Sequence, residues 1–221
     1  MRLSNVRKTP KPEIKRLNVG LLNDVIGGGL AQASVTLLGG STGVGKTTLL
    51  MQLADSLLSV HTEKDDTVLF AQNDVPSEEL LDVSKRVGAE HIDRIELLSD
   101  FSDLNETLDA LLGKVNETLP LVALVDCALD RVVLHGGTVV RRCLDVARKV
   151  GTTFVIAYTW DSEGKNKTFD DGGAWAASCC LAMEMDCETG MRMLYSTKNR
   201  NGPAPVEMRL MMPQGKFVRS V

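Results

Sequence analysis

The chain has 221 residues, 43% of them hydrophobic and 24% charged, with a formal net charge of −4. That profile excludes global disorder, leaves room for a substantial core, and removes bulk charge as a reason to bind nucleic acid. No apolar run approaches the ~18 residues of a spanning helix and no apolar secretory segment opens the chain, so a cytoplasmic location without a membrane partner is expected.

Residues 1–16 carry Arg2, Arg7, Lys8, Lys11, Lys15 and Arg16 against the single acid Glu13, and Pro10 and Pro12 discourage a helix. The segment reads as a basic arm ahead of one domain over 17–221, either a solvated leader or a nucleic-acid or subunit-docking element. After residue 33, strand and helix signals alternate as in a wound parallel sheet with helical crossovers. A strand is expected at 35–38, then a glycine loop, then a helix from Gly45 whose Leu49, Leu50, Leu53, Leu57 and Leu58 share one face. Further strands are expected at 67–71 and 95–98, with a helix between them started by Ser77, Glu79 and Leu80 as a capped end. A helix over 103–115 leads to a strand at 121–125, and a helix over 139–150 to a strand at 152–157. Three short runs, 181–185, 191–196 and 206–211, are separated by Glu188-Thr189-Gly190 and Asn201-Gly202-Pro203, which predicts hairpin-like antiparallel strands. The fold class is α/β, a mainly parallel sheet flanked by helices and followed by antiparallel strands.

The chemistry begins at Gly40-Ser41-Thr42-Gly43-Val44-Gly45-Lys46-Thr47, which matches the Walker A phosphate loop, with Thr48 in the same nucleotide-binding set. Glycines let successive N–H groups curl around a triphosphate, and the following helix start adds partial positive charge. Lys46 supplies a cation to the terminal phosphates, and the Thr47 hydroxyl completes a magnesium shell. ATP and Mg2+ are the implied cofactors. Asp126, directly after the apolar run 121–125, suits the second magnesium ligand; the alternative is a strand-terminal Asp capping a turn. Asp74, just beyond 68–71, is placed to orient an attacking water, although Asp-Val-Pro-Ser also reads as a helix-capping turn. Lys198 and Arg200 alternate along a strand and so face one way before a tight turn, suiting either a phosphate or a solvated sheet edge. The five cysteines, Cys127, Cys143, Cys179, Cys180 and Cys187, are odd in number with no Cys-x-x-Cys pair, which points to reduced and mostly core thiols.

Together these segments resemble the RecA superfamily, and within it the RadA (Sms) ATPase core, with DnaB-type helicases next. The resemblance runs through Asn18-Val19-Gly20, Asp24-Val25-Ile26-Gly27-Gly28-Gly29-Leu30, Val68-Leu69-Phe70, Arg86-Val87-Gly88, Leu124-Val125-Asp126 and Lys198-Asn199-Arg200-Asn201-Gly202, over about residues 17–212. It implies a RecA-like core that forms a homo-oligomer, ring or filament. In such an assembly Lys198 and Arg200 act on nucleotide bound by the adjacent subunit, and single-stranded DNA is handled in recombination or repair by loops at roughly 130–138 and 160–175. The second loop holds Trp160, Lys165, Lys167 and Phe169, opposed electrostatically by Asp161, Glu163, Asp170 and Asp171. A DnaB-like helicase core and a nucleotide-gated assembly protein with weak ATPase activity are the alternatives. The chain departs from the RadA pattern at Asn201, which replaces an aromatic, and at Tyr158 or Thr159, where relatives place a Gln or His. A bare motor core is expected, without the cysteine zinc module or the Lon-like domain.

Overall fold

The computed structural model describes residues 14–63, 65–73, 75–99, 104–126, 137–160 and 172–220. Two short strands come first, β1 (Arg16–Leu17) and β2 (Leu30–Ala31), paired antiparallel around a helical turn α1 (Asn23–Ile26). Strand β3 (Val35–Gly40) follows, then α2 (Lys46–Val60), β4 (Val68–Gln72), α3 (Ser77–Val87), β5 (Ile95–Leu98), α4 (Leu104–Thr118) and β6 (Val122–Asp126). After α5 (Thr138–Val150) and β7 (Thr153–Thr159) come the short helix α6 (Gly172–Ala176) and the strands β8 (Cys179–Met185), β9 (Arg192–Asn199), β10 (Val206–Met211) and β11 (Val218–Arg219). Among these described residues no helix is long and apolar enough to cross a membrane.

Nine strands form one sheet in the order β11-β10-β9-β8-β3-β7-β6-β4-β5. The six from β8 to β5 run parallel, and β9, β10 and β11 continue antiparallel, as the α/β reading expects. Successive side chains on a strand point to opposite faces, so each central strand feeds two cores. Leu38, Phe70, Leu124 and Val155 pack against α1, α2 and α3 on one face; Leu37, Leu69, Val125 and Ile156 pack against α4, α5 and α6 on the other. Strands buried on both faces explain the continuous apolar runs in the sequence.

Several boundaries differ from the pattern-based expectation. β3 continues to Gly40 and β7 to Thr159 because Gly39 pairs with Tyr158 and Gly40 with Thr159, an extension that apolar patterning does not reveal. β8 starts at Cys179, pairing parallel with β3 and antiparallel with β9, so it joins the two halves of the sheet. Helix α3 starts at Ser77, but no side chain caps it; Pro76 holds the cap position, and Glu78 and Glu79 in the first turn complement the helix dipole. Cys143, Cys179 and Cys180 are buried, Cys187 is exposed, and Cys127 lies outside the described residues. Burial pushes the thiols of Cys143 and Cys179 up to about 12 and that of Cys180 to about 11, which keeps them protonated and unreactive.

The C-terminus of α2 depends on one side chain. Arg94 donates to the carbonyls of Leu58 (3.1 Å), His61 (2.8 Å), Glu63 (2.9 Å) and Asp66 (2.7 Å), satisfying last-turn acceptors and fixing the link to β4. Arg94→Ala is therefore expected to lower unfolding stability by about 2–3 kcal/mol, measured by urea denaturation. A change within about 0.5 kcal/mol would show that water replaces the guanidinium at little cost.

Candidate functional site

The site grows out of the step from β3 into α2. The N–H groups of a helix's first turn have no partner within the helix, and at α2 they follow a glycine-rich loop with no side-chain cap. Gly45 sits at the N-cap with φ +106°, and a Cβ there would lie 2.7 Å from Cζ of Phe217. Only glycine meets both conditions. Phe217 is itself clamped by Gln52 of α2, whose Oε1 accepts from the Phe217 N–H (2.6 Å) and whose Nε2 donates to its carbonyl (3.0 Å). The C-terminal segment thus braces the loop from beneath. Lys46 is buried, and its ammonium donates to the Gly40 and Ser41 carbonyls at 3.0 Å each, lying folded over the loop.

A cleft of about 510 Å³ opens at the carboxyl ends of the parallel strands. Thr42, Gly43, Gly45, Lys46, Thr47 and Thr48 line it from the loop, Asp126 from the end of β6, and Thr159 from the end of β7. Gly40, Ser41 and Val44 do not line it; Gly40 ends β3, and Val44 is fully buried in the core and anchors the loop. Thr47 and Asp126 bring a hydroxyl and a carboxylate to the same cleft, the hard oxygen donors that magnesium takes alongside nucleotide phosphates, so the residues fit that ion. Asp74 lies outside the described residues. Its neighbourhood is defined by Gln72, buried and in register with Asp126, whose side chain accepts from the Val75 N–H (3.0 Å), and by Val75, which lines the cleft.

At the end of β7 the strand alternation separates the two candidate residues. Thr159 lines the cleft, whereas Tyr158 packs against the opposite face with its ring edge-on to Trp160 at 6.1 Å. The sequence reading missed one whole wall: Glu79, Asp82, Val83 and Arg86 of α3 face the cleft, with Met212 entering from the C-terminal segment. The helical spacing i, i+3, i+4, i+7 was a visible signal for the α3 wall. Nothing local marked Met212.

Lys198 and Arg200 stand elsewhere. Cys179 pairs with Thr36 on one side and Asn199 on the other, while Met183 pairs with Gly40 and Leu194, so the two cations lie at the amino end of β3. The phosphate loop leaves from the other end, roughly 13 Å further along at the usual strand rise. There Lys198 donates to the carbonyls of Ala174, Trp175 (3.2 Å) and Ala177 (2.8 Å), and Arg200 donates to the Trp175 carbonyl. Burial, with the Arg200 charge alongside, holds the Lys198 ammonium below the ordinary lysine range. The turn after β9 is pinned to the end of α1: Asn199 donates to the Ile26 carbonyl (3.0 Å), and Arg16 to the carbonyls of Gly29 (3.3 Å) and Asn201. Gly27, at φ +74°, lies so close to the turn that a Cβ would meet Pro203 Cδ at 2.8 Å.

Residues 21–153, more than half of the chain, match a family model described as an AAA domain. The chain belongs to this AAA-domain family. It is a P-loop ATPase of the RecA superfamily related to RadA. The DNA repair protein RadA of Mycolicibacterium smegmatis is 29% identical over 201 residues, which cover 84% of this chain and 41% of that protein. The RadA proteins of Halalkalibacterium halodurans (27% over 157 residues, 69% of this chain and 33% of that protein) and Haemophilus influenzae (26% over 190 residues, 82% and 39%) are similar at comparable levels. The chain thus spans about two fifths or less of the length of these curated relatives. Two segments of the resemblance far apart in sequence, the glycines after α1 and the turn after β9, meet in the P-loop ATPase structure as one packed contact.

If the cleft is the nucleotide site, Lys46→Ala removes both the cation for the phosphates and the tie across the loop. ATP affinity by calorimetry is expected to fall by about 10- to 100-fold, the range for a lost charged hydrogen bond. Equal affinity in the variant and the native chain would count against the assignment.

Proposed function

We propose that this chain binds and hydrolyses ATP with magnesium at interfaces between head-to-tail copies of itself, and acts on single-stranded DNA in recombination or repair. The observation that carries the reading is the placement of two chemistries at opposite ends of the same strands. The phosphate-binding loop, Asp126 and Thr159 meet at one end, while Lys198 and Arg200 sit at the other, beyond reach of their own loop. Head-to-tail association brings the second end of one copy to the first end of the next. DNA as the polymer acted on is supported by the relatives' description as DNA repair proteins. Most of both candidate DNA loops, 130–136 and 161–171, lies outside the described residues, as do 1–13 of the basic arm.

In this reading the N–H groups of the loop and of the first turn of α2 hold the β- and γ-phosphates, and Lys46 leaves the Gly40 and Ser41 carbonyls to reach them. Magnesium, held by Thr47 and Asp126, would neutralise charge on the phosphate oxygens. Asp74 takes the proton of the attacking water as it moves in line with the γ-phosphate, and Lys198 and Arg200 of the next copy balance the charge of the transition state. Thr159 places a hydroxyl in the cleft where a Gln or His stands in relatives; it accepts or donates a hydrogen bond but carries no charge.

Two experiments test this. Asp74→Asn is expected to bind ATP normally while turnover falls by about 10²- to 10⁴-fold, and unchanged turnover at saturating ATP would move the base elsewhere. Arg200→Ala and Lys46→Ala chains are each expected to be inactive, yet to recover ATPase activity on mixing, because some interfaces then pair an intact loop with an intact cation. No recovery despite co-assembly shown by sedimentation would sink the shared site. Turnover measured with and without single-stranded DNA separates a DNA-dependent motor from a nucleotide-gated assembly.

A further inference from the structure

The contacts of Lys198 raise a question of stoichiometry. An ammonium has three donors and no more. In this chain Lys198 donates to three carbonyls, those of Ala174, Trp175 and Ala177, and so uses its full capacity on the end of α6. The Trp175 carbonyl also accepts from Arg200. The last carbonyls of a helix find no partner within it, and α6 is only five residues long, with the Ala177 N–H just past its end bonded to the Gly173 carbonyl (3.2 Å). Lys198 and Arg200 together act as a cationic C-cap supplied by a distant strand.

We infer that Lys198 is shared between two mutually exclusive sets of acceptors, the C-terminal carbonyls of its own α6 and the phosphates held by the next copy, so that nucleotide bound by a neighbour uncaps α6. This rests on the in-trans role proposed above, and adds to it a conformational consequence for the chain that lends the cation. Engaging a phosphate requires Lys198 to release at least one carbonyl. The coupling is reciprocal: whatever stabilises the capped α6 weakens the reach of Lys198 to the neighbouring nucleotide, and whatever loosens α6 strengthens it.

The molecule carries its own reporter of this exchange. It has two tryptophans; Trp160 is 5% exposed, and Trp175, whose carbonyl both cations hold, is 66% exposed and lies under the Arg141 guanidinium at 5.3 Å from the ring centroid. Collisional quenching by acrylamide therefore reads Trp175 almost alone.

The test uses mixed assemblies of the full chain. One component is Lys46→Ala, which retains Trp175 and whose weakened loop stays largely empty at an analogue concentration just sufficient to fill an intact loop; the other has an intact loop and carries Trp175→Phe. Adding magnesium and a non-hydrolysable ATP analogue is expected to change acrylamide quenching of Trp175 in the first component. In assemblies of the unaltered chain, hydrogen exchange at the Ala177 amide should rise by about fivefold. Lys198→Ala should show the uncapped quenching without nucleotide and respond no further, its fold checked by circular dichroism; the exchange measurement on the unaltered chain does not depend on that variant. Silent Trp175 and unchanged exchange, in assemblies where mixing of Arg200→Ala and Lys46→Ala restores ATPase activity, would overturn the exchange while leaving the shared site standing. Failure of that ATPase recovery would remove the shared site and the exchange together.

Discussion

The N–H groups at the start of α2 are the feature on which the rest of the site depends. They cannot be satisfied within the helix, no side chain caps them, and the preceding glycines leave them open to the cleft. Their position is set by β3, flanked on both sides by parallel strands and buried along its whole length. Because the neighbouring strands run the same way, their carboxyl ends finish on one edge, and Asp126 and Thr159 arrive beside the loop without any further device.

A glycine-rich loop is itself weakly held, and the fold compensates from three sides. Val44 is buried in the core, Lys46 ties the loop to the Gly40 and Ser41 carbonyls, and Phe217, held by Gln52, fills the space below Gly45. The last of these makes the C-terminal antiparallel strands part of the loop's support. They also carry Lys198 and Arg200 at their other end, so one hairpin layer contacts the chain's own loop and presents cations away from it.

Much of the fold was legible because its strands are buried on both faces. Runs such as 68–71 and 121–125 have no amphipathic alternation to confuse, and the outer strands Ile95–Leu98, at one edge, and Val206–Met211, next to the other, have the bounds that patterning predicts. Strand ends were less legible where glycine or polar residues continue the pairing, as at Gly39-Gly40 and Tyr158-Thr159, since hydrogen-bond register and not side-chain polarity decides them. The loop residues from Thr42 to Thr48 that face the cleft were readable one by one, apart from Val44, because the chemistry of phosphate binding imposes residue types at fixed spacing. The α3 wall was readable in principle from its helical spacing, but only once its direction was known.

By itself the sequence determined the order of strands and helices from β3 to β10, apart from the short α6, together with the glycine-rich loop carrying Lys46 and Thr47 and the acidic residue at the end of β6, since each follows from local periodicity or a contiguous motif. Only the tertiary structure decided that Thr159 rather than Tyr158 meets the cleft, that Phe217 stands under Gly45, and that Lys198 and Arg200 close the end of α6 at the far edge of the sheet from their own loop. These depend on sheet register and on contacts between segments as much as 172 residues apart, as from Gly45 to Phe217 (217 − 45), and such contacts leave no trace in the local pattern of either partner.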